Sequence, residues 1–153
     1  MILLSTISTM WRLLSQQTEY ALSVLVELAL SPEGTSVQAS ELGRKLGIPL
    51  PSAHQVLVRL RRHGCVCSER GPTGGYSLAR DAEEITVGEV ISAFAGSAIA
   101  SPGEVDAPSR WAVRRWAAEV GQAWEALLAS ETIGGLAGQA RRLRDAMALM
   151  PGL

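Results

Sequence analysis

Apolar residues recur at helical spacing from Leu14 to Leu30, at Leu14, Ala21, Leu22, Leu25, Val26, Leu28 and Ala29. This predicts a first helix, which Ser31-Pro32-Glu33-Gly34 ends. Val37 to Leu46 reads as a second, short helix, with Gly47 in the position of a helix C-terminal glycine. Glu41 stands three residues after Gln38, as a capping acid would, although Gln is a poor N-cap. A third helix runs over roughly Leu50 to His63. Pro51 is tolerated there because it falls in the first turn. Val56, Leu57 and Leu60 form its apolar stripe, Arg59, Arg61 and Arg62 project to other faces, and Gly64 stops it.

The period then changes. Cys65 to Arg70 has extended character, Gly71-Pro72-Thr73-Gly74-Gly75 is a turn offering several positive φ angles, and Tyr76 to Arg80 alternates as a return strand. This predicts a β-hairpin with a glycine-rich tip. A polar connector, Asp81 to Ile85, leads to a helical segment from Thr86 to Phe94, with Thr86 as N-cap and Glu89 completing a capping box. Gly96 to Ser109 lacks periodicity and reads as a loop. Arg110 to Ser130 is a long helix with a broad stripe at Val113, Trp116, Val120, Trp124 and Leu127, and Arg115 can pair with Glu119 one turn on. Thr132 to Met147 is a last amphipathic helix, with Gly134, Gly135 and Gly138 expected to interrupt it. The class is therefore mainly α with one small hairpin.

Charge changes the picture. The 153 residues carry a net charge of −1, which by itself argues against a basic nucleic-acid coat. Between Leu42 and Arg80, however, lie Arg44, Lys45, Arg59, Arg61, Arg62, Arg70 and Arg80 against the single acid Glu69. That block is +6 and the remainder −7, so one face is suited to a polyanion. At 47 % hydrophobic and 19 % charged, the chain is too apolar for disorder. Its two cysteines, Cys65 and Cys67, exclude a disulfide framework and a four-cysteine metal site. The apolar run Ala21 to Leu30 is too short to span a bilayer, and no positive charge precedes the N-terminal apolar residues. A cytoplasmic protein without membrane attachment is expected. Residues 1–9 read as a short leader and Met10 as an alternative start.

Three helices with a sharp turn between the second and third, followed by a two-stranded ribbon, make a winged helix-turn-helix. A helix fits the DNA major groove and its first turn reaches base edges, while a basic hairpin tip enters the neighbouring minor groove. Other chemistry is thinly supported. His63 and Cys65 lack an orienting third group or an oxyanion motif, so no enzyme is expected. Cys65 and Cys67 sit two apart on a strand, facing the same way, but Cys65 falls where a core residue belongs, so packing is preferred to a thiol switch.

Thr18-Glu19-Tyr20-Ala21-Leu22, Gly47-Ile48 through Gln55, Leu57, Leu60, Arg61 and Gly64, and above all Arg70-Gly71-Pro72-Thr73-Gly74-Gly75-Tyr76-Ser77-Leu78-Ala79 resemble the Rrf-type transcriptional regulators, the IscR-, NsrR- and CymR-like group. The resemblance covers residues 10–95 closely. It extends more loosely over the long helix and Thr132-Ile133-Gly134-Gly135-Leu136. It implies a winged helix-turn-helix domain over 10–95, a loop over 96–109, and a dimerisation helix with a C-terminal helix over 110–150. It also implies a homodimer on double-stranded DNA with palindromic operators, most often as a repressor.

The DNA-facing residues expected are Gln38, Pro49, Pro51, Ser52, His54 and Gln55 at the helix-turn-helix, Arg59, Arg61 and Arg62 along the third helix, and Arg70, Gly71, Gly74, Gly75 and Tyr76 in the wing. Pro49, Ser52 and His54 depart from the family's frequent Ser, Tyr and Glu. Trp111, Val113, Trp116, Val120, Trp124 and Leu127 are the expected dimer seam, with an effector pocket lined by tryptophans as the alternative. Cluster-binding relatives hold iron and sulfur through three cysteines in the loop before the long helix. Here Ser97 to Arg110 has neither cysteine nor histidine. No cofactor or metal is therefore expected, and a small-molecule or protein effector takes the cluster's place. A protein-interaction regulator on the same fold, controlled by a partner enzyme or a small-molecule effector, is the alternative.

Overall fold

The computed structural model describes residues 14–94 and 107–149. The expected leader, the Met10 start and most of the 96–109 loop lie outside the described residues. The elements are α1 (Gln16–Leu30), α2 (Ala39–Leu46), α3 (Leu50–Arg62), β1 (Val66–Glu69), β2 (Gly75–Leu78), a 3-10 turn (Ala82–Glu84), α4 (Val87–Phe94), α5 (Pro108–Ser130) and α6 (Ile133–Ala148).

α1 begins two residues later than the apolar pattern suggests. The reason is local: the Ser15 side chain accepts from the Thr18 amide at 3.2 Å and so sets the N-cap. α1 buries Ala21, Val24, Leu25 and Leu28 on one side. α2 ends at Gly47 in the left-handed region (φ +66°). The turn into α3 is tight, because the Ile48 amide donates to the Gly43 carbonyl at 2.8 Å. A Cβ on Gly43 would lie 2.8 Å from the Ile48 carbonyl oxygen, so only glycine admits this approach. α3 buries Ala53, Val56, Leu57 and Leu60.

β1 and β2 pair antiparallel, with Val66 opposite Leu78 and Glu69 opposite Gly75. Val37 adds an isolated bridge to β2: its amide donates to the Tyr76 carbonyl at 2.9 Å, and the Tyr76 amide donates back at 2.8 Å. The wing is thereby tied to the residue pair that opens the helix-turn-helix. The expected alternation fails at its start. Cys65 and Val66 are both buried, whereas Cys67 is exposed, so the two thiols do not share a face.

Half of the expected capping box forms. The Glu89 amide donates to Thr86 Oγ1 at 3.1 Å, but the Glu89 carboxylate turns to Arg80 and to the Cys65 thiol (3.8 Å). The glycines of the last helix do not interrupt it, and α6 is continuous over Ile133–Ala148. Gly134 faces Glu83 and leaves room for its carboxylate, which accepts from Thr132 Oγ1 at 2.7 Å. Thr132 in turn caps α6 by accepting from the Gly135 amide at 3.0 Å. Packing here outweighs helix propensity.

One core joins these parts. Leu25, Leu42, Leu57, Leu60, Ile85, Val90 and Ile133 are fully buried in it. The chain groups α6 with the head rather than with α5. The Ile133 amide donates to the Ile85 carbonyl, and the Val87 amide to the Glu131 carbonyl, both at 2.9 Å. α5 buries none of its own residues within the chain.

Candidate nucleic-acid interface

At 3.6 residues per turn, the buried stripe of α3 leaves Pro51, Gln55, Val58 and Arg62 in a line along the opposite side, all exposed. Leu50, His54 and Arg61 form the flank towards the wing, and Ser52 and Arg59 the other flank. Leu50 and His54 share a cleft of about 420 Å³ with Gln38, Ser40, Glu69, Gly71, Gly74, Gly75 and Tyr76. The cleft brings Gln38 and His54 together with Gly71, Gly74, Gly75 and Tyr76, whereas Pro49, Pro51, Ser52, Gln55 and Arg70 do not line it. Leu50 and Ser40 belong to that cleft and were not legible as such, because an isolated Leu or Ser carries no motif signal.

The three arginines of α3 do not behave alike. The Arg59 guanidinium stacks over the Phe94 ring at 4.8 Å, which draws it towards the end of α4. Arg61 donates to Ser68 Oγ on β1 at 3.1 Å, bracing the hairpin. Arg62 extends from the outer line.

The positive block is partly compensated inside the chain. Lys45 pairs with Glu27 at 2.5 Å, and Arg80 pairs with Glu89 and also donates to the Glu84 carbonyl at 2.7 Å. Arg44, Arg62 and Arg70 are the cations of this block left with no side-chain partner among the described residues. They lie on the second helix, the third helix and the wing. Glu69, the block's acid, accepts from Ser36 Oγ at 2.8 Å.

The wing's glycines serve different ends. Gly71 alone among them has a positive φ (+117°). Gly74 and Gly75 are required by close approach instead. A Cβ on Gly74 would lie 2.3 Å from the Glu69 carbonyl oxygen, and one on Gly75 would lie 2.6 Å from the Val37 carbonyl.

α5 presents Val113, Trp116, Val120 and Leu127 to solvent along one stripe, each at least half exposed, with Trp124 at its inner edge. Trp111 stands on the opposite side of the helix, beneath the Arg115 guanidinium at 5.7 Å. α5 meets the head at Gly88, where a Cβ would come within 3.1 Å of Leu128 Cβ.

Residues 14–139 match the sequence profile of the Rrf2 family, described as iron-dependent transcriptional regulators. The chain belongs to the Rrf2 family. It is 42 % identical over 80 residues to the HTH-type transcriptional regulator IscR of Cronobacter sakazakii and, equally, to IscR of Escherichia coli K12. Each match covers 52 % of this chain and 49 % of the relative, so the chain spans about half the length of the curated relatives it matches. Among solved structures it resembles the cysteine regulator CymR of Bacillus subtilis, with a TM-score of 0.70 at 27 % identity, over 82 % of this chain and 96 % of that one. T. potens IscR superposes with a TM-score of 0.67 at 28 % identity, over 92 % and 93 %. The winged-helix architecture read from the sequence is thus the family's own, and the family is one of regulators, not enzymes.

The family's iron finds no fitting donors among the described residues. No group of three His, Cys, Asp or Glu residues there could hold a metal. Cys65 is sealed in the core and Cys67 lies on the outer face of the wing beside Ser77 Oγ at 3.1 Å. Burial pushes the Cys65 thiol above the ordinary thiol range, and the Glu89 carboxylate adds to it. A neutral buried thiol is a poor ligand, since metals bind the thiolate. No helix among the described residues is long and apolar enough to cross a membrane.

Proposed function

We propose that this Rrf2-family chain is a sequence-specific DNA-binding transcription regulator, a repressor that acts as a homodimer on palindromic operators. The observation that carries the reading is the cleft that Leu50 and His54 of α3 share with Gly71, Gly74, Gly75 and Tyr76 of the wing. Gln55 and Arg62 are exposed on α3 and Arg70 is exposed where the wing turn begins. α3 enters the major groove, and Gln55 and His54 meet base edges. Arg62 and Arg44 contact phosphates, which fixes register without reading sequence. Arg70 extends into the minor groove, where negative potential favours arginine. Ser52, Pro49, Pro51, Gln38 and Tyr76 complete the contact surface, and Gly71, Gly74 and Gly75 let the wing backbone approach the duplex.

The dimer forms through the stripe of α5. A helix with this much exposed Trp, Val and Leu, which none of the described residues buries, fits a two-fold partner. Two α3 helices then meet half-sites about 34 Å apart, one turn of DNA. Residues 10–95 act as the reading head, 96–109 as a loop and 110–150 as the dimer module, with α6 serving the head as well. The protein is cytoplasmic, holds no conventional iron–sulfur cluster, and answers to a small-molecule or protein effector.

The test is selection of genomic fragments by the purified chain, followed by anisotropy titration against salt. Enrichment of a palindromic sequence, with affinity falling steeply as salt rises, is expected. Recovery of lysate proteins in place of DNA fragments, or equal affinity for scrambled duplexes, would refute it.

A further inference from the structure

The first turn of α3 has an unusual chemistry for a DNA-reading surface. Pro49, Leu50 and Pro51 are consecutive and all exposed. Proline has no N–H, so two donors that a helix's opening turn ordinarily offers to an anion or a base acceptor are absent. Between them stands Leu50, 44 % exposed and outside the core cluster. Among residues 14–94, Leu50 and Val58 are the large apolar side chains left exposed, and both are on α3. Leu50 also joins two depressions. One lies against Arg44, Gly47 and Ile48, and the other is the cleft shared with His54 and the wing. An apolar tip outside the core cluster thus sits on the surface that would face the duplex.

We propose that Leu50, held out between Pro49 and Pro51, is a specificity-determining residue that reads the C5-methyl group of a thymine in the major groove. The methyl is the apolar mark on a base pair's major-groove edge, and it distinguishes thymine from cytosine without any hydrogen bond. A donor-poor, leucine-tipped turn suits that mark and suits a hydrogen-bonding edge badly. Pro49 and Pro51 fix the local φ angles, so the leucine is presented with little freedom to lose on contact. The inference rests on the DNA-binding reading above.

The experiment uses the full chain and the duplex it enriches from a random-sequence library. Each thymine is replaced singly by uracil, which removes the methyl and nothing else. One position per half-site should lose affinity about fourfold, the worth of one buried methyl group. Leu50→Ala should bind the thymine and uracil duplexes equally, Leu50→Met should keep the difference, and Arg62→Ala should keep it while weakening both. Circular dichroism of each variant confirms the helix. If no thymine methyl matters, or Leu50→Ala discriminates as the parent does, the proposal is wrong and DNA binding stands. If no sequence is enriched at all, both fall.

Discussion

Replacing Gly75 by alanine tests how the wing is held against the helix-turn-helix. The added Cβ would sit 2.6 Å from the Val37 carbonyl carbon and oxygen, and backbone on both sides cannot yield as a side chain would. The strand must move away, breaking the reciprocal Val37–Tyr76 hydrogen bonds at 2.9 and 2.8 Å. Two backbone hydrogen bonds at about 1 kcal/mol each, with some local overpacking, give a destabilisation of about 2–3 kcal/mol. At roughly 2–4 °C per kcal/mol for a chain of this size, the melting temperature should drop by roughly 5–10 °C. Circular dichroism measures the melt, and hydrogen exchange should show the Val37 and Tyr76 amides losing protection. Gly71 supplies the contrast: nothing lies within 4 Å of its hypothetical Cβ, and only its φ of +117° resists a side chain. Gly71→Ala should therefore leave the Val37 and Tyr76 amides protected. A Gly75→Ala protein that melts within a degree of the parent with both amides protected would refute the close-approach argument.

Arg70→Ala should weaken operator binding at least tenfold in an anisotropy titration, with the sedimentation coefficient unchanged. Arg62→Ala should reduce the slope of log affinity against log salt by about 1, whereas Arg59→Ala should leave that slope alone and lower stability by about 0.5–1 kcal/mol through loss of the Phe94 contact. Val120→Asp, a charge in the middle of the exposed α5 stripe, should leave the melting of the head intact and convert the dimer to monomer by equilibrium sedimentation. A thiol reagent should modify Cys67 in the folded chain and Cys65 only after denaturant is added. Because the folded Cys65 pKa lies above its unfolded value, the unfolded chain releases this proton first. Stability should therefore fall as pH climbs past the ordinary thiol range, about 8.5, and Cys65→Val should remove that part of the decline.

Much of the fold was legible because strong local signals agreed with tertiary packing. The α3 stripe of Val56, Leu57 and Leu60, the Gly47 and Gly64 stops, and the Thr86 cap all fall where the pattern puts them. What was not legible depends on distant neighbours. Gly134, Gly135 and Gly138 argue against a helix locally, yet α6 forms because it packs on the 3-10 turn and inserts Ile133 into the head. Glu89 has the right spacing for a capping box, but Arg80, nine residues away, offers its carboxylate a stronger partner than a backbone amide. The same holds for the candidate interface. The arginines of α3 are equivalent as sequence, and only the positions of Phe94 and Ser68 separate Arg59 and Arg61 from Arg62.

The way α5 is fastened has a mechanical consequence. Its C-terminal end is clamped to the head at Leu128 against Gly88 and by the Glu131–Val87 hydrogen bond. Its 23 residues make a rod of roughly 35 Å at 1.5 Å per residue. A rod gripped at one end is a lever. A tilt of about 10° at the clamp carries the other end by roughly 6 Å, close to the pitch of one helical turn. In the proposed dimer, two heads mounted on paired levers would be brought into or out of register with the DNA by a repacking beside Gly88.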